Sequence, residues 1–382
     1  MKILIVHLTS IDTQKAYAVT ISNTGEALKK SAEVEFLGPA RLSTAGFGGT
    51  FQVKWKRFCK SLWQISKLLR YPLVDKLSLL LTRNLIGFII FFKRKKLNSY
   101  CIWTRDLRIA LLACKLNLPT LCEVHKSFSQ REVSSLYRGT HLQNLVLAPI
   151  SSYLKAELSQ IELIRNQHLR VIELPMGVTS QFLERASSRN PFQNHPDIRI
   201  GYFGSMSTMG VSSEIDLFIR NLLMIQEHRF NLLLVGIGKE GKLAIDKLFD
   251  GNHVSQTQII VIERVEHQFV PRLMQECDIL LVPYGNEAFN KGRFPVKIVE
   301  YAASKIPILC TETTSNQAIL GDGRAWFFSY DNPDSLGLVI NKIRQEPDLR
   351  IKKVESAYRW ATNLTYDSRA SKLLCALESI RN

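Results

Sequence analysis

Residues able to do chemistry concentrate between Tyr284 and Glu312 (YGNEAFNKGRFPVKIVEYAASKIPILCTE). Lys291, Arg293 and Lys297 lie in a Gly-bearing loop and the first turn of a helix expected over Val296–Ala303. Apolar, strand-like runs flank them at Ile279–Val282 and Ile306–Cys310. A loop of this kind between a strand and a helix offers backbone N–H groups and cations to an anion such as phosphate. Glu300 follows Lys297 by about one turn and can face the same pocket, or the two can form a solvated ion pair. A second set is Arg105, Glu123 and His125. Residues two apart in an extended segment share a side, so Glu123 and His125 point together.

The elements that must position these side chains alternate between strand and helix. Ile3–His7 is a near-continuous apolar run, as a buried parallel strand should be. Strands are expected at Val34–Leu37, Cys101–Thr104, Thr120–Val124, Leu145–Pro149 and Arg170–Leu174, with helices between them, two of them basic (Phe51–Leu69 and Val74–Leu97). The polar segment Ser187–Pro196, with two prolines, reads as a linker. The alternation restarts beyond it with strands at Ile198–Phe203, Asn231–Val235, Gln258–Ile262 and Ile279–Val282. Two runs of βα alternation predict two doubly wound parallel sheets, with ligands beyond the carboxyl ends of the strands. The cleft between two such domains is the expected site.

With 382 residues the chain is long enough for two domains, and 46% apolar with 22% charged residues describes folded, globular protein. The net charge of +16 calls for an anionic partner: nucleic acid, nucleotide, phospholipid or phosphorylated sugar. Between residues 51 and 100 twelve Lys and Arg face a single acid, Asp75. Leu77–Phe92 is largely apolar but interrupted by Arg83 and Asn84 and shorter than the roughly 20 residues of a spanning helix, and Lys93–Lys96 follow it. With Trp55, Phe58 and Trp63 upstream, this segment fits helices lying on an anionic membrane, or core-packed helices with basic outer faces. No nucleic-acid motif accompanies the charge, so nucleic acid is not expected as a partner. The seven cysteines form no CxxC pair and no zinc-ligand spacing with His. That predicts reduced, buried thiols in a cytoplasmic protein and no metal site. Met1 leads directly into the first strand, so no leader segment is expected.

Several phrases, taken in order, resemble the GT-B glycosyltransferases, specifically the large retaining family 4 (glycosyl transferases group 1 type). Ile102–Arg105 and Leu118–His125 resemble its "TR … P-x-x-x-E-x-H"; Leu174–Val178 resembles its "PNGVD" turn. Ile200–Ser205 resembles "YxGS", Leu234–Gly238 "lvGxG" and Cys277–Tyr284 "aDilllPy". Phe294–Ile308 is close to "sPlKlfEYmAaGkPiv", and the resemblance covers nearly the whole chain.

The resemblance implies two Rossmann-like domains facing a cleft. An acceptor-binding domain would span residues 1–188 and a nucleotide-sugar domain 197–360, with a helix at 361–382 crossing back to the first. It implies transfer of a hexosyl-type group, with retention, from a nucleotide sugar to a glycan or lipid-linked acceptor in cell-surface polysaccharide or glycoconjugate synthesis. The alternative is a non-catalytic relative serving as a partner subunit. No cofactor is implied beyond the nucleotide-diphosphate sugar as donor substrate. The location implied is cytoplasmic, peripheral on the inner face of the membrane. His125 would contact the sugar or the acceptor, with Glu123 behind it and Arg105 either at the acceptor or in an interior salt bridge. Glu300 would accept hydrogen bonds from the ribose hydroxyls. Gly204, Ser205, Gly236, Gly238, Arg264, Tyr284, Arg293 and Lys297 would complete the donor site.

Two departures stand out. Where relatives carry a "KG" pair this chain has Met209-Gly210, so Lys291, Arg293 or Lys297 would have to compensate the diphosphate. Where many carry a Glu eight positions before the ribose carboxylate, it has Gly292.

Overall fold

The computed structural model describes residues 1–8, 16–38, 72–139, 141–166, 169–186, 192, 197–208, 211–212, 214–249, 257–285 and 290–381. The chain forms two units: Met1–Met176 with Tyr366–Asn382, and Gly177–Thr365. The expected helix at Phe51–Leu69, Met209-Gly210 and most of the linker lie outside the described residues.

In unit 1, strands β1 (Lys2–Val6), β2 (Glu33–Leu37), β3 (Tyr100–Thr104), β4 (Thr120–Val124), β5 (Leu145–Pro149) and β6 (Arg170–Val171) form a parallel sheet of order β2-β1-β3-β4-β5-β6. Alternate residues of each strand enter different cores, which is why the strands read as unbroken apolar runs. Ile3, Ile5, Cys101, Trp103 and Leu121 face a core shared with helices Ala16–Leu28 and Tyr366–Glu378. Leu4, Val6 and Ile102 face the opposite core, closed by Ile86 and Ile90 of helix Pro72–Phe92. The basic helix expected over 74–97 is two helices, Pro72–Phe92 and Arg94–Leu97, with a break at Lys93. Among the described residues no helix is long and apolar enough to cross a membrane. Their six cysteines are free thiols, five of them buried.

Unit 2 repeats the plan with β7 (Ile198–Phe203), the short antiparallel pair β8 (Ser207–Thr208) and β9 (Val211–Ser212), then β10 (Phe230–Val235), β11 (Thr257–Ile262), β12 (Ile279–Val282), β13 (Ile308–Thr311) and β14 (Trp326–Phe328). The parallel sheet has the order β11-β10-β7-β12-β13-β14. Winding reverses between β7 and β12, and in such sheets the crevice beyond the carboxyl ends at the reversal is where ligands sit. That point lies beyond Phe203 and Val282. At the unit's edge Val178 bridges Thr365 and donates to Leu364 O (2.8 Å), so the segments leaving and re-entering unit 1 run side by side.

Candidate functional site

At the switch point of unit 2 the strand β7 is followed by Gly204, at φ 150°, a conformation that side-chain-bearing residues rarely adopt. A Cβ there would overlap the Lys297 ammonium, so the glycine is what lets backbone and cation meet. Lys297 sits in the first turn of helix Val296–Ala303, which starts after Pro295 and has no side-chain cap. Its amine lies 4.1 Å from the Tyr202 ring centre and 5.2 Å from that of Tyr284. Burial works against the charge, yet the tyrosines Tyr202, Tyr284 and Tyr301 hold Lys297 above the ordinary ammonium range. The tyrosines are themselves fixed. Tyr202 donates to Ser205 O (2.6 Å), and the Phe203 N–H donates to the Tyr301 hydroxyl (2.9 Å). The loop carrying Tyr284 is tied down by Asn316, which donates to Tyr284 O (3.3 Å) and Thr311 O (2.8 Å).

One turn beyond Lys297, Glu300 is buried, 8% exposed. Its partner is not Lys297. His267 Nε2 lies 2.6 Å from Glu300 Oε1, and the His267 ring packs on Phe182 with centroids 5.3 Å apart. Burial disfavours the imidazolium, but the Glu300 carboxylate overrides this and raises the His267 pKa above its ordinary value. The cation and the carboxylate of the sequence motif therefore belong to different local environments, one ringed by tyrosines and one anchored by a histidine.

Unit 1 builds its own cluster at the carboxyl ends of β3 and β4. Glu123 shares the parity of Leu121 and so faces the core beneath helix Tyr366–Glu378. It is 1% exposed. Its Oε1 pairs with Arg105 Nη2 (2.9 Å) and His125 Nε2 (2.5 Å); its Oε2 accepts from Trp103 Nε1 (3.0 Å) and pairs with Arg369 Nη2 (2.7 Å). Burial opposes ionisation, but Arg105, Arg369 and His125 hold this carboxyl well below the usual carboxylate range. Burial, reinforced by Arg105, lowers the His125 pKa to about 4. A neutral imidazole whose Nε2 faces a carboxylate carries its proton there, leaving Nδ1 as an acceptor. Arg369 is held by Thr24 Oγ1 (3.2 Å) and by the Leu174 (2.6 Å) and Pro175 carbonyls.

Arg293 packs over the Tyr284 ring at 6.0 Å and donates to Asn290 Oδ1 (3.1 Å), while Lys291 is exposed. Gly236 (φ 87°) follows β10, its N–H donating to Ile262 O (3.0 Å); Gly238 (φ 75°) opens helix Gly238–Phe249. Ser205 is exposed after Gly204, and Arg264 is exposed after the edge strand β11, two strands from β7. Gly292 has φ 74°, a conformation that favours glycine. Among the described residues no group of three or more His, Cys, Asp or Glu is arranged to hold a metal.

Three contributors carry no role in the sequence reading: Trp103, His267 and Arg369. Arg369 had a signal, being a charge on the apolar stripe Tyr366, Arg369, Ala370, Leu373, Leu377 of its helix. A lone histidine between β11 and the next helix gives none.

Residues 197–345 match the family model described as glycosyl transferases group 1. No curated protein matches the chain. Several solved structures share its fold. A glycosyltransferase from Rickettsia africae superposes with a TM-score of 0.68 at 15% identity, covering 99% of this chain and 98% of that one. HepE from Anabaena in complex with UDP gives 0.65 at 12% identity, covering 99% and 100%. A sucrose-phosphate synthase from Thermosynechococcus elongatus gives 0.63 at 12% identity, covering 98% and 97%.

Proposed function

We propose, on the premise that this chain is a GT-B protein whose residues 197–345 are a group 1 glycosyltransferase domain, that it transfers a sugar from a nucleoside-diphosphate donor with retention of configuration. The observation that carries this reading is the Lys297 ammonium held against the Gly204 backbone at the switch point, with the Glu300 carboxylate one turn further on. Lys297 meets the diphosphate, compensating the charge that grows on it as the glycosidic bond breaks. Glu300, whose Oε1 is anchored by His267, offers its other oxygen to the vicinal ribose hydroxyls. The departing diphosphate oxygen takes the acceptor proton on the same face of the sugar. Positioning and charge supply most of the catalysis, and no glycosidase-type carboxylate pair is needed. In unit 1, His125 Nδ1 accepts a hydrogen bond from a sugar hydroxyl, while Glu123 and the two arginines behind it fix the ring. The Anabaena structure of similar fold is complexed with UDP, which supports a nucleotide as ligand.

Glu300→Ala is expected to weaken binding of UDP or GDP, and of the corresponding nucleoside, by about tenfold or more, in a chain that still folds but loses about 1–3 kcal/mol with the His267 pair. Calorimetric titration checks this. If the parent chain binds neither nucleotide, the enzyme reading fails and the non-catalytic partner reading takes its place.

The acceptor in this reading is a glycan or a lipid-linked sugar used for cell-surface polysaccharide or glycoconjugate synthesis at the inner face of a membrane. Support comes from the end of helix Pro72–Phe92, where Phe88, Phe91 and Phe92 are 57%, 44% and 65% exposed and the exposed cations Lys93–Lys96 follow. Phe88 and Phe92 lie with ring centres 4.1 Å apart, and Arg94 sits 4.8 Å over the Phe91 ring. Aromatic side chains beside a cation run suit insertion at an anionic lipid surface. The chain is expected to float with phosphatidylserine vesicles, and to lose most of that association when Lys93–Lys96 are changed to Gln. Unchanged flotation of that variant removes the membrane reading.

A further inference from the structure

The turns that follow the unit 1 cluster enclose a second feature. Beyond β3 the chain runs from Arg105 into Asp106–Arg108, and beyond β4 from His125 into Lys126–Ser129. These turns, the start of helix Gln130–Tyr137 and Arg83 of helix Pro72–Phe92 line a cavity of about 170 Å³. Its charged lining is Arg83, Arg108, Lys126 and Arg131 against Asp106 and Glu132. Both carboxylates are already engaged. Asp106 accepts from Arg83 (2.7 and 2.9 Å) and from the N–H groups of Arg108 and Ile109 (3.1 Å each). Glu132 accepts from the Ser129 N–H (2.8 Å) and lies 3.5 Å from the Lys126 amine. Among the described residues Arg108 and Arg131 have no carboxylate partner, so the lining keeps two cations in excess.

We propose that this cavity binds a phosphate or diphosphate group on the acceptor, with Arg108 and Arg131 as its guanidinium ligands. The proposal rests on the reading that unit 1 takes the acceptor. The volume is below the roughly 300–1,000 Å³ of pockets that enclose a drug-sized molecule, so it suits a phosphoryl head and not a whole nucleotide. Arginine is the residue that recognises such a group in two parallel hydrogen bonds. Helices Leu107–Lys115 and Gln130–Tyr137 both begin at the lining and are capped there by Asp106 and by the Ser129–Glu132 pair, so recognition of the anion falls to the two arginines. Lys126 directly follows His125, so one turn carries both a lining residue of the cavity and the residue that meets the sugar. The same chemistry serves a soluble sugar phosphate or a lipid-borne phosphate.

The test is calorimetric titration of pyrophosphate into the full chain in excess UDP, which fills the unit 2 site. The R108Q/R131Q variant is expected to bind pyrophosphate about tenfold or more weakly, with UDP affinity unchanged. Both side chains are exposed, so the fold should survive; if the pair does not fold, the single Arg131→Gln reads the same quantity. Co-sedimentation with phosphatidylcholine vesicles, with and without phosphatidic acid, separates the two sources. Arginine-dependent vesicle binding assigns the group to a lipid; arginine-dependent pyrophosphate binding without it assigns the group to a soluble acceptor. No arginine dependence in either measurement overturns the proposal. Failure of the donor reading shows separately, as absence of UDP binding to the parent chain.

Discussion

Lys297→Met is expected to lower kcat/KM for the nucleotide-sugar donor by about a hundredfold or more, the scale on which removing a single preorganised charge-stabilising group acts. The effect should divide by ligand. Affinity for the nucleoside diphosphate falls, because the diphosphate loses its cation, whereas affinity for the free nucleoside is retained. Glu300→Ala behaves in the opposite way and weakens nucleoside and nucleotide together. The reason lies in the separation of the two environments. Lys297 is ringed by Tyr202 and Tyr284, and Glu300 is bound to His267, so neither substitution directly disturbs the other's partner. Methionine keeps an apolar side chain against the two rings, which limits the stability cost. A comparison of nucleoside and nucleoside-diphosphate affinities in the two variants checks this. Equal losses for both ligands in Lys297→Met would place the amine away from the phosphates.

Glu123→Leu should be the most destabilising single change in unit 1. It leaves Arg105 and Arg369 buried without their shared carboxylate, and stranding buried charge in this way costs about 3–5 kcal/mol. Adding Arg369→Met should recover part of that loss, since one stranded guanidinium is then gone; a double-mutant cycle in urea measures the coupling. The pH dependence has a definite sign. His125 is depressed from 6.5 to about 4, so between those values the unfolded chain binds a proton that the folded chain refuses, and stability falls as pH falls through that window. The depressed Glu123 carboxyl acts in the same direction further down: its stabilisation is complete above the unfolded carboxyl pKa and is lost as pH drops toward the folded one. His125→Phe is therefore expected to flatten the dependence between about 6.5 and 4. An unchanged slope would mean that His125 titrates normally.

Local chemistry made most of the architecture legible without coordinates. Continuous apolar runs such as Ile3–Val6 and Ile279–Val282 could only be strands buried on both faces, and their alternation with helices implied two parallel sheets. The helix Val296–Ala303 was readable from its Pro and its apolar spacing, and so was the proximity of Lys297 and Glu300 along one face. Strand β14 was not, because three residues of Trp and Phe carry no period.

Within the chain of motifs, the sequence by itself determined which residue types reach the carboxyl ends of the strands: Gly204, Lys297 and Glu300 in one unit, Arg105, Glu123 and His125 in the other. Only the tertiary structure decided what each of them touches. Lys297 and Glu300 are one turn apart and look like an ion pair, yet burial sends the amine to aromatic faces and the carboxylate to His267, 33 positions away. Glu123 draws its second guanidinium from Arg369, on a helix that returns to unit 1 after the whole of unit 2. Periodicity reports which face of an element is buried. The partner on the other side of that face is fixed by packing between segments far apart in the chain, and for a buried charge that partner sets the ionisation and with it the chemistry.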